Sequence, residues 1–147
     1  MGNQYKSILA AVDGSKEAEY AFRKSIDIAK RNKGSKLTIV NVLNTHAYKS
    51  FDRSTLDRAQ QQAEELVNDN KAEAQSKGLT DVKAVIEYGS PKTMITNEVA
   101  DFIDADLIVC GATGLNAVER FITGSVSGAI VRSAKCDVLV TRKPEQL

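Results

Sequence analysis

The chain has 147 residues, 42% of them hydrophobic and 27% charged, with 20 basic side chains against 19 acidic ones. That length is a prior for one domain, residues 1–147, and that composition belongs to an ordinary globular protein. The net charge of +1 argues against nucleic acid and anionic membrane surfaces as partners, because both call for clustered positive charge.

No apolar run approaches the roughly 20 residues of a bilayer span. Met1 to Lys6 is polar and leads straight into a strand-like run, unlike a signal peptide. The expected compartment is the cytoplasm. Cys110 and Cys136 both sit in or beside apolar runs. Buried reduced thiols are the expected state, with a disulfide as the alternative.

In chain order, two periodicities alternate. Ser7 to Val12 is a short apolar run closed by Asp13-Gly14-Ser15, and it predicts a first strand. Ala18, Ala21, Phe22, Ser25, Ile28 and Ala29 then share a helical stripe, with Gly34 as its expected C-cap. Lys36 to Leu43 predicts the second strand. Leu56, Ala59, Ala63, Leu66, Val67 and Ala74 form a longer helical stripe ended by Gly78. Val82 to Tyr88 is the third strand.

Ser90-Pro91 announces a third helix, an N-cap followed by proline at the first helical position, with Ile95, Val99, Phe102 and Ile103 expected to face inward. Asp106 to Cys110 is the fourth strand. Val126, Ala129, Ile130 and Ala134 mark a fourth helix, and Asp137 to Thr141 the fifth strand. Strands that are apolar throughout suit a sheet covered on both faces. Right-handed crossovers turn the alternation into an α/β fold: a parallel sheet with four helices on two faces. Two connections are long, Asn44 to Arg53 and Gly111 to Gly124, and long loops at strand carboxyl ends commonly carry sites.

The chemistry concentrates in the second of them. Gly111-Ala112-Thr113-Gly114, a stretch from Leu115 to Thr123, and Gly124-Ser125-Val126-Ser127 together read G-x2-G-x9-G-S-x-S between a strand and a helix. Gly111 and Gly114 lack Cβ and allow a sharp turn close to a ligand. The opening turn of the following helix has N–H groups without intrahelical partners. Those donors, the helix dipole and two hydroxyls suit an anion such as a phosphate. Either half alone reads as a turn glycine or an ordinary N-cap; the two together favour the phosphate.

With these residues in view, nearly the whole chain resembles the universal stress proteins of the UspA superfamily. Its nucleotide-binding members carry G-x2-G-x9-G-(S/T), matched here by Gly111, Gly114, Gly124 and Ser125. Val12-Asp13-Gly14-Ser15 and Ala134 to Val140 are similar to the family at its two ends. The resemblance implies an open five-stranded parallel sheet in the order 3-2-1-4-5, Rossmann-like and of the adenine nucleotide alpha hydrolase type. It implies ATP with Mg²⁺ as the bound ligand. Asp13 then corresponds to the acidic residue near the ribose, with Ala11 beside it under the nucleoside and Val42 against the adenine. Gly111, Ala112, Thr113, Gly114 and Leu115 would wrap the ribose and first phosphates, and Gly124, Ser125, Val126 and Ser127 the distal ones. Thr113 departs from the pattern, standing where many relatives have Arg or His.

In that strand order Asp13 and Gly111 end neighbouring strands whose crossovers leave in opposite directions, the position where open α/β sheets bind ligands. A carboxylate there can accept both ribose hydroxyls or cap the first helix; both roles stay open for Asp13. There is no G-x-x-x-x-G-K-[ST] loop, and no serine has a sequence partner suggesting a nucleophile and base. Arg120 either reaches a γ-phosphate or is a solvated loop charge. The lone His46 makes no metal site. The third strand ends Tyr88-Gly89-Ser90, without the aspartate of a phosphoacceptor receiver. The expected function is therefore a regulatory ATP-binding module with slow or absent turnover, acting on an unidentified downstream protein. The alternative is a slow ATPase or autophosphorylating enzyme. Val138, Leu139 and Val140 would form an apolar edge strand inviting a second chain, and the resemblance implies a homodimer through it.

Overall fold

A computed structural model describes residues 4–44, 52–112 and 125–144, apart from the side chain of Ser125. Five strands, β1 (Ser7–Ala11), β2 (Lys36–Leu43), β3 (Val82–Tyr88), β4 (Leu107–Gly111) and β5 (Asp137–Thr141), form one sheet in the order β3-β2-β1-β4-β5. Every neighbouring pair is parallel. The intervening helices are α1 (Lys16–Arg31), α2 (Arg53–Ser76), the continuous run α3 (Pro91–Thr93), π-helical Met94–Val99 and α4 (Ala100–Phe102), and finally α5 (Ser125–Ser133).

Alternation along each strand divides the core in two. Ile8, Ala10, Val12, Leu107 and Val109 face α1 and α2, meeting Phe22, Ile26, Val67 and Ala74. Leu9, Val40, Ile108 and Cys110 face the other way, toward Ile95, Val99 and Ile130. The three central strands are covered on both faces, which is why β1 and β4 read as near-continuous apolar runs, whereas the edge strands β3 and β5 carry exposed residues. Cys110 and Cys136 are free thiols, as expected. Burial pushes the Cys110 thiol up to about 11, so it stays protonated at neutral pH.

The helix boundaries follow local signals. Ser15 caps α1, its Oγ accepting from the Ala18 N–H at 3.1 Å. Asn32, rather than Gly34, is the C-cap. The buried stripe of α1 takes in Ile26, with Ile28 only partly covered at its margin. At the end of α2, Gly78 N–H donates to Gln75 O and Leu79 N–H to Ala74 O. This pattern needs the left-handed φ of +103° found at Gly78.

Two side chains expected inside are outside. Leu56 is 41% exposed. With 24 residues α2 is roughly 36 Å long, whereas the 8-residue β2 it crosses spans only about 26 Å. The first turns of α2 therefore overhang the sheet. Phe102 is 90% exposed. The π-helical stretch inserts an extra residue into the turn and rotates everything after it by about 100°. Ile95, Val99 and the partly buried Ile103 then share the inner face at four-residue spacing, and Phe102 swings out.

Candidate functional site at the carboxyl end of the sheet

β1 and β4 lie side by side, with Ala10 opposite Val109. Helix α1 leaves β1 on one face and α5 follows β4 on the other, which makes these strand ends the switch point at which open α/β sheets bind ligands. Asp13 stands there, exposed to solvent. Its Oδ1 accepts from the Ser15 N–H at 2.9 Å, turning the chain into α1. The cap itself is Ser15, which answers the question left open by the sequence: Asp13 is not the residue that caps α1.

The backbone just before Asp13 is held from β2. Val12 N–H donates to Val40 O at 2.9 Å, and Val12 O accepts from the amide of buried Asn41 at 2.7 Å. Asn41 was not singled out by sequence reasoning. A lone asparagine inside an otherwise apolar strand is the available signal, because a buried amide requires a partner. Ala11 and Val42 are partly buried and pack against the cluster that faces α5.

Gly111 closes β4, opposite Thr141. A Cβ there would lie 2.9 Å from both the carbonyl carbon and the oxygen of Glu17, and 3.1 Å from the Glu17 Cβ. The missing side chain admits the first turn of α1 against the strand. Ala112 is buried, and its N–H donates to Thr141 O at 2.8 Å. That amide is therefore bonded to β5, which fixes the start of the Gly111–Gly114 turn against the end of the sheet.

The Ala112 carbonyl accepts from Ser127 Oγ at 2.8 Å, across 15 residues. This bond draws the opening turn of α5 onto the end of β4, with Val126 partly buried between them and the sheet. Ser127 therefore acts first as a clasp between the two halves of the motif. Thr113, Gly114, Leu115, Gly124, the Ser125 side chain, Glu119, Arg120 and His46 lie outside the described residues. Among the described residues no group of three His, Cys, Asp or Glu side chains is placed to hold a metal ion, and no helix is long and apolar enough to cross a membrane.

Comparison with known proteins places this arrangement. The model of the universal stress protein family matches residues 4–142. The chain belongs to the universal stress protein family. A Staphylococcus saprophyticus protein bearing the universal stress protein name is 51% identical over 144 residues, covering 96% of this chain and 86% of that protein. Among solved structures, the universal stress protein UspA of Lactobacillus plantarum is 31% identical and superposes with a TM-score of 0.85, over 96% of this chain and all of that one. A universal stress protein crystallised in complex with cAMP shares the fold, with a TM-score of 0.75 at 24% identity over 95% of this chain and 98% of that one. The five-stranded 3-2-1-4-5 sheet expected from the resemblance is the sheet observed in this universal stress protein.

Proposed function

We propose that this universal stress protein binds ATP with Mg²⁺ in the crevice between β1 and β4, and that it serves as a nucleotide-responsive regulatory module. The observation that carries the reading is the Ser127–Ala112 hydrogen bond, which brings the helix after the glycine motif onto the strand before it. The nine-residue α5 presents its opening turn at that junction. Helix N-termini offer unpaired N–H donors and a positive dipole end, the natural complement of a polyphosphate.

The described donors and acceptors fit such a ligand in part. Asp13 has one carboxylate oxygen spent on Ser15 and the other to offer to ribose hydroxyls. Ala11 and Val42 supply apolar surface for the base. With the Ala112 amide engaged, phosphate binding falls to the start of α5, through Ser125, Val126 and the motif residue Gly124. Bound Mg²⁺ would neutralise charge on the phosphates. Turnover is slow or absent in this reading, since the chain lacks a Walker lysine loop. Among the described residues edge strand β5 pairs only with β4, and its Leu139 is 37% exposed, which supports a homodimer through Val138, Leu139 and Val140.

Calorimetric titration with MgATP tests the reading, with AMP and cAMP as competitors. One saturable site per chain is expected, with MgATP displacing both. Absence of binding at about 1 mM, a free energy of only some 4 kcal/mol, overturns it. Tighter binding of cAMP than of MgATP would reassign the ligand while keeping the site.

A further inference from the structure

We infer that Glu17 is a positioning residue that couples the segment after β5 to the nucleotide end of the sheet. The inference rests on the functional reading above. Three separate stretches meet at this one residue. Its own helix begins at the turn set by Asp13 and Ser15. Its backbone lies against Gly111 at a separation that leaves no room for a Cβ. Its carboxylate Oε1 accepts from the Lys143 N–H at 2.9 Å, across 126 residues.

The last bond is chemically specific. A first-turn glutamate is already favoured by the helix dipole, and here it is aimed at a main-chain amide beyond the final strand. Meanwhile Ala112, next to Gly111, is bonded to Thr141. Chain 141–143 is therefore tied to the site at two points, through Ala112 and through Glu17. Breaking the Glu17 bond removes the tie between the first turn of α1 and residue 143, leaving Ala112 as the remaining one of the two points. Occupation of the crevice and seating of residues 141–143 are in this way two sides of one equilibrium, and each must favour the other to the same extent.

The test compares wild type, Glu17→Ala, Glu17→Gln and Lys143→Pro for MgATP affinity by calorimetry, and for exchange of the Lys143 amide by NMR where that amide is present. Glu17→Ala is expected to weaken MgATP about five- to twentyfold. Glutamine keeps an acceptor oxygen and should stay within about twofold. Lys143→Pro removes the donor instead of the acceptor and should match Glu17→Ala, with the double variant no weaker than either alone. In wild type and Glu17→Gln, MgATP should slow Lys143 exchange under conditions where that amide exchanges by local opening, a regime in which stabilisation of the whole fold leaves the rate unchanged. Wild-type affinity in both Glu17→Ala and Lys143→Pro, or Lys143 exchange indifferent to bound MgATP, overturns the coupling alone. A wild type that takes up no MgATP overturns the functional reading, and the coupling with it.

Discussion

Gly111→Ala is expected to lower stability by about 1–2 kcal/mol and to weaken nucleotide binding. Two effects of opposite sign compete. Gly111 does not have a positive φ, so alanine fits the local backbone and restricts the unfolded chain, worth about 0.4–1 kcal/mol in favour of folding. Against this, the added methyl meets Glu17 C and O at 2.9 Å. Those are main-chain atoms that cannot rotate away, so α1 must shift, and overpacking of this kind costs about 1–3 kcal/mol. The steric term wins. Urea unfolding with an unchanged m-value measures the loss. The same displacement moves the turn bearing Asp13, so MgATP affinity should fall along with stability. A variant as stable as the parent would mean that the α1–β4 contact is looser than the geometry describes.

Ser127→Ala is expected to cost about 1–2 kcal/mol, and to weaken MgATP more than that loss of stability alone would require. Ser127 is 3% exposed, and its hydroxyl donates to the Ala112 carbonyl. Alanine is the better helix former by a few tenths of a kcal/mol, but it leaves a buried acceptor short of its donor, which costs about 1–3 kcal/mol. The protein should stay folded at room temperature, so affinity can be read on a native sample. Thermal unfolding and MgATP titration of the same preparation separate the two effects. Ser127→Thr, which keeps the hydroxyl, should recover much of the affinity.

Much of this fold is legible in the amino-acid order because its signals are local. Four short apolar runs and the alternating run Val82 to Tyr88 form the five strands, and Ser90-Pro91 marks the start of the third helix, with Pro91 at its first position. The strand order came from the family resemblance, since periodicity alone does not rank parallel strands. What stayed hidden depends on contacts between distant residues or on a break in the assumed period. Phe102 was placed inside by counting 3.6 residues per turn through a segment that winds as a π-helix. Leu56 was placed inside although its helix outruns the sheet. The motif signals close approach at Gly111, but not that Glu17 is one of the neighbours that approach it. The Glu17–Lys143 and Asn41–Val12 bonds span 126 and 29 residues; no local pattern announces the first, and the lone asparagine in β2 calls for a partner without saying which. At the site, the motif's spacing was visible, but its division of labour was not. The Ala112 amide bonds to β5, and Ser127 ties the helix after the motif to the strand before it.

The central claim is that the strand before the glycine motif and the helix after it are clasped into a single polyanion site at the crevice between β1 and β4. The most direct measurement is an amide NMR titration of isotope-labelled protein with MgATP. The expected result is a saturable set of shifts concentrated at Val12 to Ser15, Gly111, Ala112 and Ser125 to Ser127, with the far ends of the strands, Tyr5 and Asp137 among them, undisturbed. Shifts centred at that opposite end of the sheet, or no saturable shifts at any residue, would contradict it.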